Sequence, residues 1–144
     1  MLTPLEIILL LVVIVLSLNI YKQRSYFKFT KNDPLLKRLR HDMIKLDSRA
    51  NDVEFFAGSD KSYTENKKKM YLCLKDENGN YYPYNFLIYV LTHEMAHVIS
   101  QSIDTEHTGK EFNDNFDMLL DRATKMGIWD PNEPMVMNYC GVTA

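Results

Sequence analysis

Several features that would classify the chain at once are scarce or missing from its sequence. Cys73 and Cys140 are the only cysteines among 144 residues, which is too few for a disulfide scaffold. They do not form a C-x-x-C pair, so no zinc ribbon is expected. The sequence has no low-complexity tract or internal repeat, and its net charge is only −2. With 46% hydrophobic and 25% charged residues, the composition is typical of one globular domain with an appendage.

The first 21 residues lack both a basic start and a small-x-small cleavage site, the two marks of a secretory signal. Residues 7–16 are an unbroken run of Ile, Leu and Val, and Glu6 is the only charged side chain before residue 22. The apolar stretch over residues 5–21 reaches the lower limit of length for a membrane span. We therefore predict an uncleaved transmembrane anchor at residues 1–21, rather than a core helix of the globular part.

A basic and aromatic segment at residues 22–33 is predicted to form a juxtamembrane stalk. Lys22, Arg24, Lys28 and Lys31 follow the anchor directly. By the positive-inside rule they place the rest of this single-pass protein on the cytoplasmic side, where both cysteines should be free thiols. Aromatic residues interleave with these cations, a pattern that suits a membrane interface or a nucleic acid. Beside an anchor, the membrane is favoured.

Charge is divided unevenly along the chain. Residues 22–75 hold 14 Lys and Arg against 7 acidic residues, and residues 76–144 hold 3 against 11. The basic half suits an anionic membrane surface near the anchor. The acidic half argues against a nucleic-acid track through that part of the domain.

Residues 34–144 have the pattern of an α+β domain. Asp33-Pro34 predicts a helix start, and apolar residues at helical spacing continue to Leu46. Strands are predicted over residues 53–56, 62–64 and 70–74, with a turn at 77–80 and a short strand at 81–82. A second helix carries an apolar stripe from Ile88 to Ile99 and has Asn85 as its expected N-cap. A third should run from about residue 109 to 126, followed by an irregular tail.

The second of these helices contains the motif H-E-x-x-H, at residues 93–97. Residues four apart share one helix face, so His93 and His97 can bind the same zinc ion. Glu94 lies beside that face, where a carboxylate can accept a proton from water at the metal. The apolar stripe lies on the opposite face of the helix. The motif therefore predicts a zinc site with Glu94 as the general base.

A catalytic zinc site of this kind needs a third protein ligand. The metzincin pattern would need Gly at position 100 and His at position 103, but Ser and Ile stand there. His107 is the best remaining candidate because a capping box formed by Thr108 and Glu111 would start a helix directly after it. Glu111 is its main competitor, and Asp104 and Glu106 are weaker candidates.

H-E-M-A-H followed about ten residues later by a histidine resembles the WLM and SprT-like zincin metalloproteases, over residues 63–129. The resemblance implies zinc held by His93, His97 and His107, with Glu94 as base. These families usually place an aromatic residue four positions after the third histidine, whereas Phe112 is five after His107. The resemblance also implies that an edge strand, residues 70–74 or 62–64, binds the substrate peptide. Tyr139 could polarise a substrate carbonyl, although a packing role is favoured.

The sequence thus predicts a small zincin-like domain with a short sheet, tethered to a virion or host membrane. We expect a zinc-dependent metallopeptidase that acts on a protein or peptide substrate. One alternative is a membrane-anchored binding module with a structural or degenerate zinc site. Another is a protease for DNA–protein crosslinks, as in the best-known WLM and SprT-like proteins, although nucleic-acid binding is not favoured. Small anchored zincins of this sort resemble proteins encoded by large DNA viruses.

Overall fold

The computed structural model describes residues 1–26, 29–103, 107, 109–140 and 142–143. Helix α1 spans Pro4–Tyr26. Its window Pro4–Tyr21 is long and apolar enough to cross a membrane, and none of that window is buried against the protein. The prediction of an apolar N-terminal helix of membrane-spanning length is therefore confirmed. The helix continues through the first five residues of the predicted stalk, while Phe27 and Lys28 lie outside the described residues.

Helix α2, Pro34–Leu46, opens the globular part. The Asp33 side chain accepts hydrogen bonds from the backbone N–H groups of Leu35 and Leu36, at 2.8 and 3.1 Å. This is an N-cap followed by a first-turn proline, as the sequence predicted. One face of the helix is fully buried in the core, and a short 3-10 helix, Ser48–Asp52, leads to the sheet.

A three-stranded sheet follows, with β1 at Glu54–Ala57, β2 at Tyr63–Glu65 and β3 at Lys69–Leu72. The order is β1-β3-β2, with β3 parallel to β1 and antiparallel to β2. The prediction that residues 70–74 form a substrate-binding edge is wrong, because β3 is the central strand and uses both edges for pairing. Strand β2 is an edge strand, so residues 62–64 keep that role as a prediction.

The chain enters the globular part along the other edge of the sheet. The N–H and C=O of Thr30 bond to the C=O and N–H of Ala57, at 3.0 and 2.9 Å. The Phe29 ring packs edge-on against Tyr71, with 5.0 Å between centroids. The last part of the predicted stalk, from Phe29 onward, is therefore packed on the sheet.

Helix α3, Tyr84–Ile99, is the central helix of the core. Ile88, Leu91 and Met95 are completely buried, which confirms the predicted apolar stripe. The predicted N-cap was wrong: Pro83 occupies that position. The Asn85 side chain instead donates to the carbonyl of Asp130 and accepts from its N–H, at 2.9 and 2.7 Å, and so fastens the tail to the start of α3.

Helix α4, Lys110–Lys125, packs on α3 through its buried residues Phe112, Leu119 and Ala123. Gly127 follows it with a φ of 70°, a conformation that favours glycine at a helix C-terminus. The predicted capping box does not form as expected. Thr108 lies outside the described residues, Gly109 is the N-cap residue, and the Glu111 carboxylate bonds to a different segment, described below.

The tail contains two very short antiparallel strands, β4 at Asn138–Tyr139 and β5 at Val142–Thr143. In place of the predicted strand at residues 81–82 there is a single bridge between Lys75 and Tyr81. The expectation of free thiols was wrong, because Cys73 and Cys140 form a disulfide with 6.5 Å between their Cα atoms. The bond joins the tail to the end of the central strand. Sequence spacing could not predict this, since the two residues are 67 positions apart.

Candidate metal centre and cleft

His93 and His97 lie one helical turn apart on α3, on the face away from the buried stripe. Their ring centroids are 5.2 Å apart, and both side chains are partly exposed. This is the geometry that the four-residue spacing predicts. Both imidazoles are therefore directed to the same side of the helix.

His107 reaches the same place from the segment that connects α3 to α4. Its Nε2 lies 2.9 Å from Nε2 of His97, and its backbone has a φ of 58°, in the left-handed region that residues other than glycine adopt uncommonly. The Asn113 side-chain amide donates to the carbonyls of His107 and Gly109, at 3.2 and 2.9 Å. Helix α4 thus holds the turn that carries His107.

The three imidazoles fit the donor set of a zinc site. One ring nitrogen from each of His93, His97 and His107 can be chosen so that all lie within 4.8 Å of one another. Nitrogens bound tetrahedrally to one zinc at 2.0–2.1 Å are about 3.4 Å apart. The Nε2 atoms of His97 and His107, 2.9 Å apart, are already within that spacing.

Glu111, the main competitor for the third position, is engaged elsewhere. Its carboxylate accepts from the N–H of Gln101 at 2.5 Å and from the Ser102 hydroxyl at 2.8 Å. These hydrogen bonds hold the pKa of Glu111 below its usual value. Asp104 and Glu106 lie outside the described residues. Among the candidates that the structure describes, only His107 joins the histidine pair.

Phe112 forms an aromatic floor beneath the three histidines. Its ring centroid lies 5.1 Å from that of His93, 4.4 Å from that of His97 and 5.1 Å from that of His107. The Phe112 side chain is almost completely buried. The extra residue between His107 and Phe112 therefore does not prevent contact between the two rings.

Glu94 is a buried carboxyl group beside the histidines. It is 6% exposed, and Thr64 Oγ1 donates to its Oε2 at 2.8 Å. Burial raises the pKa of Glu94 to about 7, and the hydrogen bond from Thr64 opposes this rise. Such a carboxyl group can both accept and return a proton near neutral pH.

Burial acts on His93 in the opposite direction. Burial, together with the neighbouring His107 and His97, lowers the pKa of this imidazole to about 4. The ring is therefore neutral at physiological pH. A neutral imidazole is the form that binds a metal ion.

A cleft of about 610 Å³ passes over these groups. The edge strand β2 and the turn after it form one wall of the cleft, and the exposed face of α3 forms the other. Thr64 directs its hydroxyl across the cleft to Glu94, so the edge strand and the H-E-x-x-H helix are joined at the site itself. A larger cavity of about 930 Å³ lies beside the disulfide, and neither Glu94 nor any histidine lines it.

Lys67 is a site residue that the sequence did not indicate. It lies in the turn between β2 and β3 with a φ of 57°, and its ammonium group donates to the carbonyls of Ser100 and Ser102. Glu111 holds the same segment from α4. Two opposite charges therefore fix the chain just after α3, in the connection that carries His107. Lysine in a turn is usually a solvated side chain, so no sequence pattern predicted this role.

Tyr139 does not line the cleft beside the histidines. Its hydroxyl donates to the carbonyl of Cys73 at 2.7 Å and bonds to the Ser62 hydroxyl. Its ring packs edge-on against Tyr82 and Phe86, and burial strongly raises its pKa. These contacts support the packing role that was favoured for Tyr139.

Comparison with known proteins finds viral relatives. The chain is 47% identical over 83 residues to the uncharacterized protein 136R of Invertebrate iridescent virus 6. It is 39% identical over 102 residues to the uncharacterized protein 042R of Invertebrate iridescent virus 3. It is 29% identical over 134 residues to the uncharacterized protein R325 of Acanthamoeba polyphaga mimivirus. No family model matches the chain, and no solved structure matches it.

These matches cover only part of each protein. They extend over 56%, 64% and 87% of this chain, but over 45%, 60% and 62% of the respective relatives. The chain thus spans about half to three-fifths of the length of these relatives.

Proposed function

We propose that the protein is a membrane-anchored, zinc-dependent metallopeptidase. One observation carries this proposal: three imidazoles converge beside a buried carboxyl group that is hydrogen-bonded to the exposed edge strand of a sheet. A metal-binding cluster alone would support a role in metal storage or a structural metal site. The added carboxyl group and the cleft between it and an unpaired strand edge support hydrolysis of an extended chain.

His93, His97 and His107 would hold the zinc. In such a site zinc supplies Lewis-acid chemistry, which acidifies water and polarises a carbonyl oxygen. Glu94 would take a proton from the attacking water on its carboxylate and pass it to the leaving amine. Thr64 fixes the orientation of the Glu94 carboxylate through its hydrogen bond to Oε2.

Strand β2 would bind the substrate by pairing with it. An edge strand presents N–H and C=O groups that a peptide can meet as an added strand. Because Thr64 is part of this strand and also touches Glu94, a peptide paired there would pass directly beside the carboxylate. The proposed substrate is therefore a polypeptide in extended conformation.

Helix α1 would hold the domain at a membrane, and the flanking cations favour the cytoplasmic side. The disulfide is evidence for the opposite side, because such bonds persist in oxidising compartments. We give the charges greater weight for orientation, because a span is oriented as it inserts, before the domain behind it has folded.

The rival function is a membrane-anchored binding module with a structural zinc. Structural sites use four protein ligands, whereas catalytic sites use three and leave one position for water or substrate. Within the described residues the ligand cluster contains three side chains, which favours catalysis. No feature of the described residues favours a role at DNA–protein crosslinks in the same way.

The direct test is zinc content together with peptidase activity of the full chain in detergent or nanodiscs. We expect one zinc per chain, and cleavage of an unstructured peptide mixture that stops on chelation and returns with zinc. One zinc per chain without cleavage of any peptide would favour the binding module. Absence of zinc would refute the proposal.

A further inference from the structure

The outer face of the sheet carries an aromatic row in direct register. Phe56 of β1 and Tyr63 of β2 are both cross-strand partners of Tyr71 in β3. Their rings stack on either side of the Tyr71 ring, with centroid distances of 5.0 and 4.8 Å and interplanar angles of 14° in both pairs. Phe29 packs edge-on against the same ring. These four residues are called the aromatic row.

The row lies on the face of the sheet that points away from the core. Phe55, Met70 and Leu72, which alternate with the row residues along β1 and β3, are 3%, 0% and 2% exposed. The three strand rings of the row are only half-buried, and Phe29 is 44% exposed. Four ordered aromatic rings on an outward face contribute little to the stability of a soluble domain. A surface of this kind is typical of an interaction site.

Lysines accompany the row at both ends. The Lys31 ammonium lies 4.9 Å from the Phe56 centroid, and that of Lys61 lies 5.6 Å from the Tyr63 centroid. Lys69 is exposed on the same face, in register with Glu54 and Glu65, and Glu54 is ion-paired with Lys31. Aromatic rings flanked by lysines are typical of protein surfaces that contact lipid headgroups.

The length of the chain fixes the row close to the anchor. The apolar window ends at Tyr21 and α1 at Tyr26, so five helical residues and three further ones lead to Phe29. At about 1.5 Å per helical residue and 3.5 Å per extended residue, Phe29 is at most roughly 18 Å from the end of the window. Because Phe29 is docked on Tyr71, the sheet face must lie near the bilayer surface.

We propose that the aromatic row and its lysines, Lys31, Lys61 and Lys69, dock on the headgroup region of an anionic membrane. This inference rests on the membrane anchorage and not on the proposed hydrolysis. Single-stranded nucleic acid is a poorer occupant, because it binds such surfaces by stacking bases on free ring faces. Both faces of the central Tyr71 ring are already covered by its neighbours.

Lysine acetylation of the unmodified full chain in nanodiscs tests the proposal, with each site quantified by mass spectrometry. In discs that contain phosphatidylserine, we expect Lys61 and Lys69 to react about fivefold more slowly than in phosphatidylcholine discs. Lys110 and Lys125 on α4 are internal controls. They are exposed on α4, which packs on α3, and their rates should not depend on the lipid.

A charge reversal gives a second, independent readout. Lys61→Glu should raise the acetylation rate of Lys69 in phosphatidylserine discs toward its rate in phosphatidylcholine discs, whereas the matched control Lys125→Glu should leave it unchanged. Equal rates at Lys61 and Lys69 in both kinds of disc would overturn the proposal. So would protection of these two lysines by an oligothymidine in phosphatidylcholine discs equal to that given by phosphatidylserine, which would assign the face to nucleic acid.

Discussion

Thr64 Oγ1 lies 2.8 Å from Glu94 Oε2 and donates a hydrogen bond to it. This contact joins the exposed edge of the sheet to the carboxyl group of the H-E-x-x-H helix. The same hydroxyl also lies 3.3 Å from the backbone carbonyl of Glu94. The strand proposed to bind substrate and the residue proposed to move protons are thus positioned by one side chain.

Replacing Thr64 with valine should impair hydrolysis without removing zinc. Valine keeps the shape of threonine but cannot donate, so the Glu94 carboxylate loses its orienting bond. A hydrogen bond to a charged group contributes about 1.5–3 kcal/mol, which corresponds to a loss of roughly tenfold to a hundredfold in kcat/KM. Peptide-cleavage kinetics and zinc content of the purified variant measure the two effects separately.

Thr64→Ser is the matched control, because serine keeps the hydroxyl and should retain most of the activity. If the valine variant cleaved peptides as fast as the wild type, the hydrogen bond would have no part in positioning Glu94.

Removal of His107 should lower the affinity for zinc far more than removal of the charge on Glu111. His107→Ala deletes a ligand and should lower zinc affinity by more than about a hundredfold. Glu111→Gln only weakens the hold on Gln101 and Ser102, which supports the ligand indirectly, so a loss of about tenfold is expected. Competition with a chromogenic chelator gives both values. An empty site in Glu111→Gln with a full one in His107→Ala would make glutamate the third ligand.

The disulfide should stabilise the fold considerably. The two cysteines are 67 positions apart. For a loop of that length, the entropy lost by the unfolded chain predicts that the bond raises the free energy of unfolding by about 4 kcal/mol. Reductant should therefore lower the denaturant midpoint of the wild type. The double variant Cys73→Ser/Cys140→Ser should have a denaturant midpoint below that of the oxidised wild type, and reductant should not change it. Two alkylatable thiols in the purified, unreduced wild type would contradict the bond.

A tag at the C-terminus should be protected from protease added outside sealed cells. The prediction follows from Lys22, Arg24, Lys28 and Lys31, which flank the apolar helix on its C-terminal side. Permeabilised cells provide the control, since the tag should be cleaved there. Cleavage in intact cells would reverse the orientation and would place the disulfide in the oxidising compartment that usually maintains such bonds.

Local sequence patterns predicted the elements that depend on local physics. The four-residue spacing of His93 and His97 needs only one helix, and the Asp33 cap depends on backbone groups two and three residues away. The long apolar run before residue 22 predicted α1 in the same way. Each of these predictions agrees with the structure because no distant residue is needed to make it true.

Relationships between distant segments could not be predicted. Strand order depends on crossovers, so the sequence leaves two candidate edges, residues 70–74 and 62–64, and only the structure shows that the strand at Met70 lies in the centre. The Cys73–Cys140 bond and the Thr64–Glu94 contact join segments that have no common periodicity. Glu111 had the spacing of a capping residue, but its carboxylate is bound by the segment after α3.

Glu94→Gln, assayed for zinc content and for peptide hydrolysis on the same preparation, tests directly whether Glu94 is the general base of a zinc-dependent hydrolase. Glutamine has nearly the same size and keeps an acceptor for Thr64, but it cannot accept a proton from water. Zinc content should be unchanged, and the rate of hydrolysis should fall by about 10²–10⁴-fold. Full hydrolysis by a zinc-loaded Glu94→Gln protein would show that Glu94 is not the general base.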